Sequence, residues 1–391
     1  MYYNEFQGMK LSALGLGTMR LPTGEDGKID REKLRDMVKL ALDSGINYFD
    51  TAWTYHGGES EIAIGEALRE YPRDSWHLAT KYPGHEIHSS YDPSAIFEKQ
   101  LKKAGVDYFD FYLLHNVFES SIDTYLDPQW GIIDYFLEQK KLGRIKHLGF
   151  SCHALTENLR RFLDAAGDKM EFCQIQLNWL DWSLQDAKGK YELLTERNIP
   201  VWVMEPVRGG TLADLSPENN ARLRAIEPDK SVASWGFRFL QGLPNVTMVL
   251  SGMSNIEQMQ DNLKTFSERQ PVTEAQTALL FDIAEGMKGS IPCTACRYCT
   301  AGCPMELDIP MLLRVYNDIR YSPSITSAMA IEVLPEDKKP SACVNCGSCM
   351  KICPQHIEIP RHMRDFSEAL GKIPSWREIC RQREEAAKNK E

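Results

Sequence analysis

The stretch NYFDTAWTYHGGESEIAIGEALREYPRDSWHLATK, residues 47–81, contains the repeating unit from which the fold class can be inferred. It opens with a short apolar run, Tyr48–Ala52, and continues with an amphipathic segment, Glu59–Glu70. A second apolar run, Leu78–Lys81, closes it. This order predicts a strand, a helix and another strand, which is the unit from which parallel sheets are built.

The same unit recurs along the chain as far as Ser267. Apolar runs predict eight strands: Leu11–Gly17, Tyr48–Ala52, Leu78–Lys81, Phe109–His115, Ile145–Ser151, Phe172–Asn178, Val201–Glu205 and Thr247–Ser251. Amphipathic segments predict eight helices: Arg31–Ser44, Glu59–Glu70, Pro93–Ala104, Pro128–Lys141, Thr156–Ala166, Leu184–Arg197, Ser231–Leu240 and Asn255–Phe266. Eight such units in roughly 250 residues are typical of a (β/α)8 TIM barrel. An open doubly wound sheet is the alternative, but Gly15-Leu16-Gly17 opens no helix and so lacks the dinucleotide fingerprint of that fold.

Composition excludes several classes of protein. The 391 residues carry a formal net charge of −10, which argues against binding nucleic acid or an anionic membrane surface. No apolar run is long enough to span a bilayer. The first residues, Met1–Glu5, lack the charged and apolar regions of a signal peptide. We therefore expect a cytoplasmic protein with no membrane partner.

Beyond Ser267 the alternation of strand and helix ends. The segment Pro271–Lys288 predicts a connecting helix, and a cysteine-rich segment follows it. The predicted organisation is a barrel over residues 1–270, a linker helix over 271–290, a small mainly helical module over 291–372 and a charged helix or tail over 373–391.

Eight of the eleven cysteines form two runs: Cys293, Cys296, Cys299 and Cys303, then Cys343, Cys346, Cys349 and Cys353. Each run has the spacing Cys-x-x-Cys-x-x-Cys-x-x-x-Cys-Pro of bacterial ferredoxins, in which the fourth cysteine serves the other cluster. This predicts two 4Fe–4S clusters with crossed ligands, in which Cys353 completes the first run's cluster and Cys303 the second's. Two zinc sites are the alternative, but zinc ribbons use paired Cys-x-x-Cys knuckles. Cys380 lies outside both runs and is expected to be a bystander.

Polar residues end three neighbouring strands of the predicted barrel, where barrel enzymes place their chemistry. Asp50 ends the second strand, with Tyr55 just beyond it, and Lys81 and His115 end the third and fourth. A nearby ammonium makes a tyrosine a stronger acid, and a carboxylate holds that ammonium in place. Each residue alone also fits a structural role, but their positions at adjacent strand ends favour a proton-transfer site.

Several ordered motifs resemble the aldo-keto reductase family. They are Asn47–Ala52 with Tyr55, Ala79–Lys81, Tyr112–His115, Gly143–Ser151, Gln174–Asn178 and Ser254–Asn262. The resemblance covers about the first two-thirds of the chain, and the whole chain is similar to the branch of that family fused to a ferredoxin-type module. It implies reduction of an aldehyde or ketone with NADPH or NADH, or the reverse oxidation of an alcohol.

The resemblance also implies a role for each residue of the set. Tyr55 would be the general acid and Lys81 would tune it, with Asp50 pairing to Lys81. His115 would position the carbonyl oxygen, and Ser151 with Gln174 would hold the nicotinamide carboxamide. In this chain Cys152 follows Ser151 where the family often has asparagine, and it is either a small packing residue or a redox-sensitive thiol.

The rest of the dinucleotide site is expected at the last two strands. Met204 stands where the family often stacks an aromatic ring under the nicotinamide, and Arg208, with the two glycines after it, would border the pyrophosphate unless that turn is only surface. The loop with Gly252 and Ser254 opens a helix at the usual phosphate position of a barrel. By resemblance, Gln258, Asp261 and Asn262 contact the adenosine end. Many relatives have arginine in place of Gln258, so the choice between NADP and NAD stays open.

Three functions are compatible with these sequence features. The first is a carbonyl reductase with an attached electron-transfer module. The second is a redox-sensing protein whose barrel is mainly a regulatory nicotinamide-binding module, and the third is one subunit of a larger electron-transfer assembly. Because nicotinamide gives up two electrons as hydride whereas a cubane takes one, and because the sequence shows no flavin fingerprint, a separate flavoprotein or ferredoxin partner is expected.

Overall fold

The computed structural model describes residues 1–85, 91–118, 121–287, 289–321, 325–374 and 378. The chain divides into two compact units, the first spanning Met1–Gly286 and the second beginning at Met287. The predicted connecting helix is observed as Glu274–Met287. Lys288, Cys380 and the charged segment 381–391 lie outside the described residues.

Eight parallel strands form a closed barrel in the first unit. They are Leu14–Gly17, Tyr48–Asp50, His77–Tyr82, Phe109–Val117, Ile145–Cys152, Cys173–Gln176, Val201–Met204 and Val246–Ser251. The last strand pairs with the first, so the sheet has no open edge among these strands. This confirms the predicted TIM barrel and excludes the open doubly wound sheet.

The prediction of one strand over Leu11–Gly17 is wrong in its first half. Residues Met9–Ser12 pair antiparallel with Tyr3–Phe6 in a hairpin, and the barrel strand begins at Leu14. The side chain of Phe6 packs edge-on against Trp202 inside the barrel, with ring centroids 5.0 Å apart. The hairpin therefore closes the end of the barrel at which the strands begin.

Helices separate the barrel strands, as predicted. In the first unit they are Arg31–Asp43, Ser60–Leu68, Pro93–Ala104, Ile122–Leu126, Ile132–Lys141, Thr156–Ala166, Asp181–Leu184, Ala187–Glu196, Pro217–Ile226, Val232–Gln241, Ile256–Thr265 and Glu274–Met287. The prediction missed Pro217–Ile226, although its Ser216 accepts a hydrogen bond from the backbone N–H of Asn219 in the manner of a helix cap.

One close approach between helices supports the site described below. A Cβ atom at Gly65 would lie 2.1 Å from the carbonyl oxygen of Ala104. Only glycine fits there, so the helix Ser60–Leu68 lies directly against the end of the helix Pro93–Ala104. The two helices thereby bring Glu61 and Gln100 together behind the third barrel strand.

The second unit is mainly helical, as predicted. Its helices are Ile309–Tyr321, Ile325–Glu332, Ser348–Lys351 and Ile359–Leu370. Apolar residues such as Leu312, Met363 and Phe366 share one buried core with Cys299 and Cys349. None of the described helices in either unit has the length and apolar character needed to cross a membrane.

Candidate active site and cluster-binding loops

A buried ion pair lies at the carboxyl ends of the second and third barrel strands. Lys81 Nζ donates a hydrogen bond to Asp50 Oδ1 at 2.5 Å and another to the carbonyl oxygen of Thr51 at 2.7 Å. The Lys81 side chain is fully buried. Burial lowers the pKa of Lys81 and raises that of Asp50, and the opposite charge of each partner counteracts this.

Tyr55 lies on the short helical turn Tyr55–Gly58, which follows the second strand. His56 in this turn has a left-handed φ of 51° and accepts a hydrogen bond from the N–H of Leu21 at 3.2 Å, which anchors the turn. The Tyr55 ring centroid is 5.0 Å from Lys81 Nζ and 6.0 Å from the ring of His115. The structure thus brings the four predicted active-site residues together.

His115 is buried at the end of the fourth strand. Tyr125 donates a hydrogen bond to its carbonyl oxygen at 2.5 Å, and the ring of His85 lies 4.5 Å away. Among the described residues, nothing hydrogen-bonds to His115 Nδ1. Burial, helped by His85 and Lys81, holds the pKa of His115 well below its usual range, so the ring is neutral at pH 7.

A second buried carboxylate lies behind Lys81, and the sequence prediction missed it. Glu61 Oε1 accepts hydrogen bonds from Thr80 Oγ1 at 2.6 Å and from Gln100 Nε2 at 2.7 Å. Gln100 also donates to the carbonyl oxygen of Lys81 at 3.0 Å and accepts from the Tyr112 hydroxyl. This network fixes the backbone from which the Lys81 side chain projects. Strand-end reasoning could not find Glu61 because it lies on a helix.

Ser151 and Gln174 lie side by side on the fifth and sixth strands. Ser151 Oγ accepts a hydrogen bond from the N–H of Asn116 at 2.8 Å. In the described part of the chain, the buried atoms Gln174 Oε1 and Asn116 Oδ1 have no hydrogen-bond partner. Two such acceptors fit the NH₂ group of a nicotinamide carboxamide. Asn116 was not predicted, although it follows His115 at the same strand end.

Two charged residues that were not predicted form an ion pair: Glu205, after the seventh strand, and Arg20, after the first. Met204 ends that strand and is partly buried, and Glu205 follows it with a φ of 57°. Arg20 Nη2 lies 3.2 Å from Glu205 Oε1. Burial raises the pKa of Glu205 and the nearby Arg20 opposes that shift. The rule that found Lys81 and His115 applies equally to Glu205, which is the residue after a strand end.

Arg208 is held within the protein. Its side chain is 1% exposed, and its Nε lies 3.0 and 3.1 Å from the two carboxylate oxygens of Asp181. Asp181 also accepts hydrogen bonds from the amides of Gln176 and Asn178, each at 2.7 Å. The guanidinium therefore neutralises a buried carboxylate, and a contact of Arg208 with the cofactor stays a prediction.

The loop with Gly252 and Ser254 packs against Arg20. A Cβ atom at Gly252 would lie 3.3 Å from Arg20 Cβ, and Ser254 Oγ donates to the Arg20 carbonyl oxygen at 2.9 Å. Gln258 turns back to the loop and its Oε1 accepts from the N–H of Ser254 at 2.8 Å. The partly exposed Arg20 guanidinium is thus a further cation beside the expected phosphate position.

Asp261 and Asn262 lie on the helix that follows this loop, and both bond within the barrel. Asp261 Oδ2 accepts from the Ser231 hydroxyl at 2.6 Å, and Asn262 Nδ2 donates to Ser251 Oγ at 3.0 Å. These bonds position the last strand and its loop, and the expected contacts with the adenosine end stay predictions.

In the second unit, the two cysteine runs have similar backbone conformations at an offset of 50 residues, although only the second contains a helical turn, Ser348–Lys351. Left-handed φ angles occur at Ala295 and Arg297 in the first run and at Asn345 and Gly347 in the second. The N–H of the fourth cysteine bonds to the carbonyl three residues earlier in both runs, at 3.2 Å and 3.3 Å. The repeat seen in the sequence is therefore a repeat in structure.

Cysteines of both runs lie near one another in the second unit. One cavity is lined by Cys303 together with Cys343, Cys346 and Cys349. Burial raises the pKa of the Cys299 thiol, and the neighbouring Cys296, Cys353, Cys293 and Cys349 add to that shift. The mixing of the two runs is what crossed ligands require, and the two ligand sets stay predictions.

Comparisons with known proteins divide the chain in the same way. A sequence profile of the aldo/keto reductase family matches residues 13–284, and a profile described as a 4Fe-4S dicluster domain matches residues 292–358. Among curated proteins, the uncharacterized oxidoreductase YqkF of Bacillus subtilis is 28% identical over 304 residues, which cover 69% of this chain and 92% of that protein. The NADH-specific methylglyoxal reductase of Escherichia coli is 27% identical over 224 residues, which cover 52% of this chain and 65% of that protein.

Solved structures show the same barrel. The holo form of the aldo-keto reductase AKR11C1 from Bacillus halodurans superposes with a TM-score of 0.59 at 25% identity, covering 72% of this chain and 96% of that one. An aldo-keto reductase from Klebsiella pneumoniae in complex with NADPH gives a TM-score of 0.59 at 21% identity, covering 73% and 96%.

Proposed function

Since the chain belongs to the aldo/keto reductase family, we propose that its barrel reduces a small aldehyde or ketone with NADH or NADPH, or oxidises the corresponding alcohol. The observation that carries this proposal is the position of Tyr55 beside the buried Lys81–Asp50 pair and the neutral His115. An acid, a cation that strengthens it and a neutral hydrogen-bond donor are what carbonyl reduction requires.

When bound, the nicotinamide supplies a hydride to the carbonyl carbon. Gln174 and Asn116 would hold its carboxamide through their buried side-chain oxygens, and the Ser151 hydroxyl beside them would contribute a third contact. The loop with Gly252 and Ser254 would hold the phosphates, with Arg20 alongside. These contacts would decide which face of the ring meets the substrate.

Tyr55 would give the hydroxyl proton to the carbonyl oxygen, so that the added hydride and proton together yield the alcohol. The Lys81 ammonium lies 5.0 Å from the Tyr55 ring and stabilises the phenolate that proton donation leaves behind. Asp50 keeps Lys81 charged despite its burial. In the direction of alcohol oxidation, the same phenolate would accept the proton.

His115 would donate a hydrogen bond to the carbonyl oxygen from a neutral ring. Because burial keeps its pKa low, His115 does not compete with Tyr55 as an acid near pH 7. In this proposal Tyr55 transfers the proton and His115 positions the carbonyl oxygen.

The proposal covers both dinucleotides. Gln258 stands at the position by which many relatives select NADP, and here it bonds to the N–H of Ser254. The Escherichia coli relative is named as specific for NADH. We further propose that the eight cysteines of the second unit hold two 4Fe–4S clusters, which exchange electrons with a partner protein.

The test is the replacement Tyr55→Phe, assayed on a panel of aldehydes and ketones with each dinucleotide. We expect the turnover rate to fall about 10²–10⁴-fold, since the proton donor is lost, while dinucleotide affinity measured by fluorescence stays within twofold. Tyr135→Phe, on the helix Ile132–Lys141, is the matched control and should leave the rate unchanged.

A fully active Tyr55→Phe variant would mean that another group donates the proton. A wild-type chain that binds the dinucleotide yet turns over no carbonyl compound or alcohol would instead favour a barrel that acts as a redox-sensing module.

A further inference from the structure

The turn that carries Tyr55 is not a regular helical turn. Its residues His56, Gly57 and Gly58 have left-handed φ angles of 51°, 64° and 93°. Such an angle is unfavourable for a residue other than glycine, as at His56. Within the turn, the N–H of Tyr55 bonds to the carbonyl of Ala52 at a length of 3.2 Å. The position of the Tyr55 ring therefore depends on contacts with neighbouring elements.

Lys103 supplies such a contact from the helix Pro93–Ala104. Its Nζ lies 4.5 Å from the centroid of the Trp53 ring, a distance at which an ammonium is attracted to an aromatic face. The same Nζ lies against the other end of the turn, since a Cβ atom at Gly58 would be 3.5 Å from it. Because Trp53 precedes Tyr55 and Gly58 follows it, one ammonium contacts the chain on both sides of the expected acid.

A buried carboxylate fixes this ammonium. Lys103 Nζ lies 2.7 Å from Glu61 Oε2, and the side chain of Glu61 is fully buried, whereas that of Lys103 is 20% exposed. The direction of approach is outside that of a hydrogen bond, so the contact is an ion pair. The close approach of the two helices at Gly65 and Ala104 brings the pair together.

The other oxygen of the same carboxylate is bound to the third barrel strand. Glu61 Oε1 accepts hydrogen bonds from Thr80 Oγ1 at 2.6 Å and from Gln100 Nε2 at 2.7 Å. Gln100 Nε2 also donates to the carbonyl oxygen of Lys81 at 3.0 Å. A single carboxylate thus connects Lys103, which contacts the turn, to the strand from which Lys81 projects.

We propose that Lys103 is a positioning residue for the barrel reaction, which fixes the turn of Tyr55 against the strand of Lys81 through its ion pair with Glu61. This rests on the proposed function, in which Tyr55 donates the proton and Lys81 stabilises the phenolate. Lys103 acts through the position of Tyr55 and takes no part in the proton transfer. A misplacement of about 1 Å can lower a rate about 10²-fold, so a loosened turn has a measurable effect.

The experiment compares Lys103→Met and Lys103→Arg with the wild-type full-length protein, using the carbonyl compound of the panel above that gives the highest turnover. Methionine removes the ammonium, and we expect kcat to fall about tenfold or more because Tyr55 is no longer held at its distance from Lys81. Dinucleotide affinity should stay within twofold, since the expected dinucleotide site lies at the last two strands. Arginine keeps a cation at this position and should restore most of the lost rate.

A double-mutant cycle separates positioning from charge. Lys103→Met also leaves the Glu61 carboxylate buried without its cation, which by itself disturbs a site. Because the two residues form one link, we expect Glu61→Gln, Lys103→Met and the double variant K103M/E61Q to lose about the same factor in kcat. Lys102→Met, at an exposed position of the same helix, is the matched control and should keep the wild-type rate.

Amide hydrogen exchange tests the link without a substrate, and residues 53–59 should exchange faster in Lys103→Met than in the wild type or Lys102→Met. Equal exchange in all three, a double variant with the wild-type rate, or a loss of dinucleotide affinity in place of kcat would overturn the proposal. A wild-type protein that turns over no carbonyl compound would instead contradict the proposed function, and the exchange measurement would still decide whether Lys103 holds the turn.

Discussion

The barrel site and the cysteine loops are assembled in opposite ways. In the barrel, Asp50, Lys81 and His115 come from three strands and are at most 4% exposed, and Lys81 donates hydrogen bonds to Asp50 and to the carbonyl oxygen of Thr51. In the second unit, three ligands of each predicted cluster lie within seven consecutive residues. The fold creates the first site, whereas we expect the bound clusters to create much of the fold around the second.

The core of the second unit supports this contrast. Cys299, Cys349 and Cys353 are 6–7% exposed and pack in one cluster with the helices Ile309–Tyr321 and Ile359–Leu370. Side chains that hold a metal group within a core couple metal binding to folding. The described apolar cluster inside the barrel, with Phe6, Phe111 and Trp202 among its members, contains no cysteine.

The largest effect is expected from Cys303→Ser, which tests whether the second unit depends on its clusters. Because Cys303 lies with the cysteines of the second run, we expect the loss of about half of the iron and sulfide, taken from the cluster held by Cys343, Cys346 and Cys349. Amide hydrogen exchange should rise across the helix Ile359–Leu370, while the barrel strands keep their protection. Iron analysis, EPR and hydrogen-exchange mass spectrometry measure these effects.

Cys173→Ala, in a buried strand of the barrel, is the control and should keep all of its iron. Damage confined to the cluster of Cys293, Cys296 and Cys299 would show that the ligands are not crossed. Loss of barrel protection in Cys303→Ser would show that the barrel fold also depends on the clusters.

The next effect in size is that of Lys81→Met, which tests whether the barrel site is held together by its own charges. The replacement leaves Asp50 buried without its cation, and breaking a buried pair destabilises a protein by about 3–5 kcal/mol. The double variant K81M/D50N removes both charges, so we expect it to be more stable than Lys81→Met alone. Both variants should lose carbonyl reduction by about 10²-fold or more, since Tyr55 no longer has its ammonium.

Thermal unfolding of the barrel measures the stability part of this prediction, where each kcal/mol corresponds to about 2–4 °C. A double variant less stable than the single one would mean that Asp50 contributes through its hydrogen bonds rather than through its charge.

The smallest effect is expected from Glu171→Gln, just before the sixth strand and away from both sites. Lys140, His147 and the N–H of Leu148 hold the pKa of Glu171 down at about 2 despite its burial. A lowered carboxylate pKa stabilises the fold above the ordinary pKa, and that contribution is lost as the pH falls from 4.5 toward 2. The shift sets an upper limit of roughly 3 kcal/mol at pH 7, reduced by partial exposure.

Urea unfolding at pH 7 and at pH 3 measures this contribution. The difference between wild type and Glu171→Gln should shrink at the lower pH, while Glu138→Gln, on an exposed ion pair, should change stability little at either pH. A difference that does not depend on pH would assign the effect of Glu171 to packing rather than to charge.

The residues that sequence reasoning found share a simple geometry. Each barrel strand is a short apolar run, and the residue at its carboxyl end lies at one mouth of the barrel, so Lys81 and His115 could be located from strand ends alone. The cysteine runs could be recognised without any prediction of strands, because their ligand spacing is local in the sequence.

The features that the sequence-based prediction missed depend on contacts between segments that are distant in the chain. The break at Ala13 between hairpin and barrel strand lies inside one apolar run, and no periodicity marks it. Glu61 is linked to the strand of Lys81 through Thr80 and through Gln100 on another helix, and Arg208 turns inward because Asp181 is buried nearby. A linear pattern does not contain such pairings.

The N-terminal hairpin closes one end of the barrel, because Phe6 and Leu11 fill the end at which the strands begin. A barrel that is closed at one end can be entered only at the other. Under the proposed function, dinucleotide and carbonyl compound would both arrive and leave through the opposite mouth. Whichever of them lay deeper would enter first and depart last, so the order of binding and release would become part of the rate law.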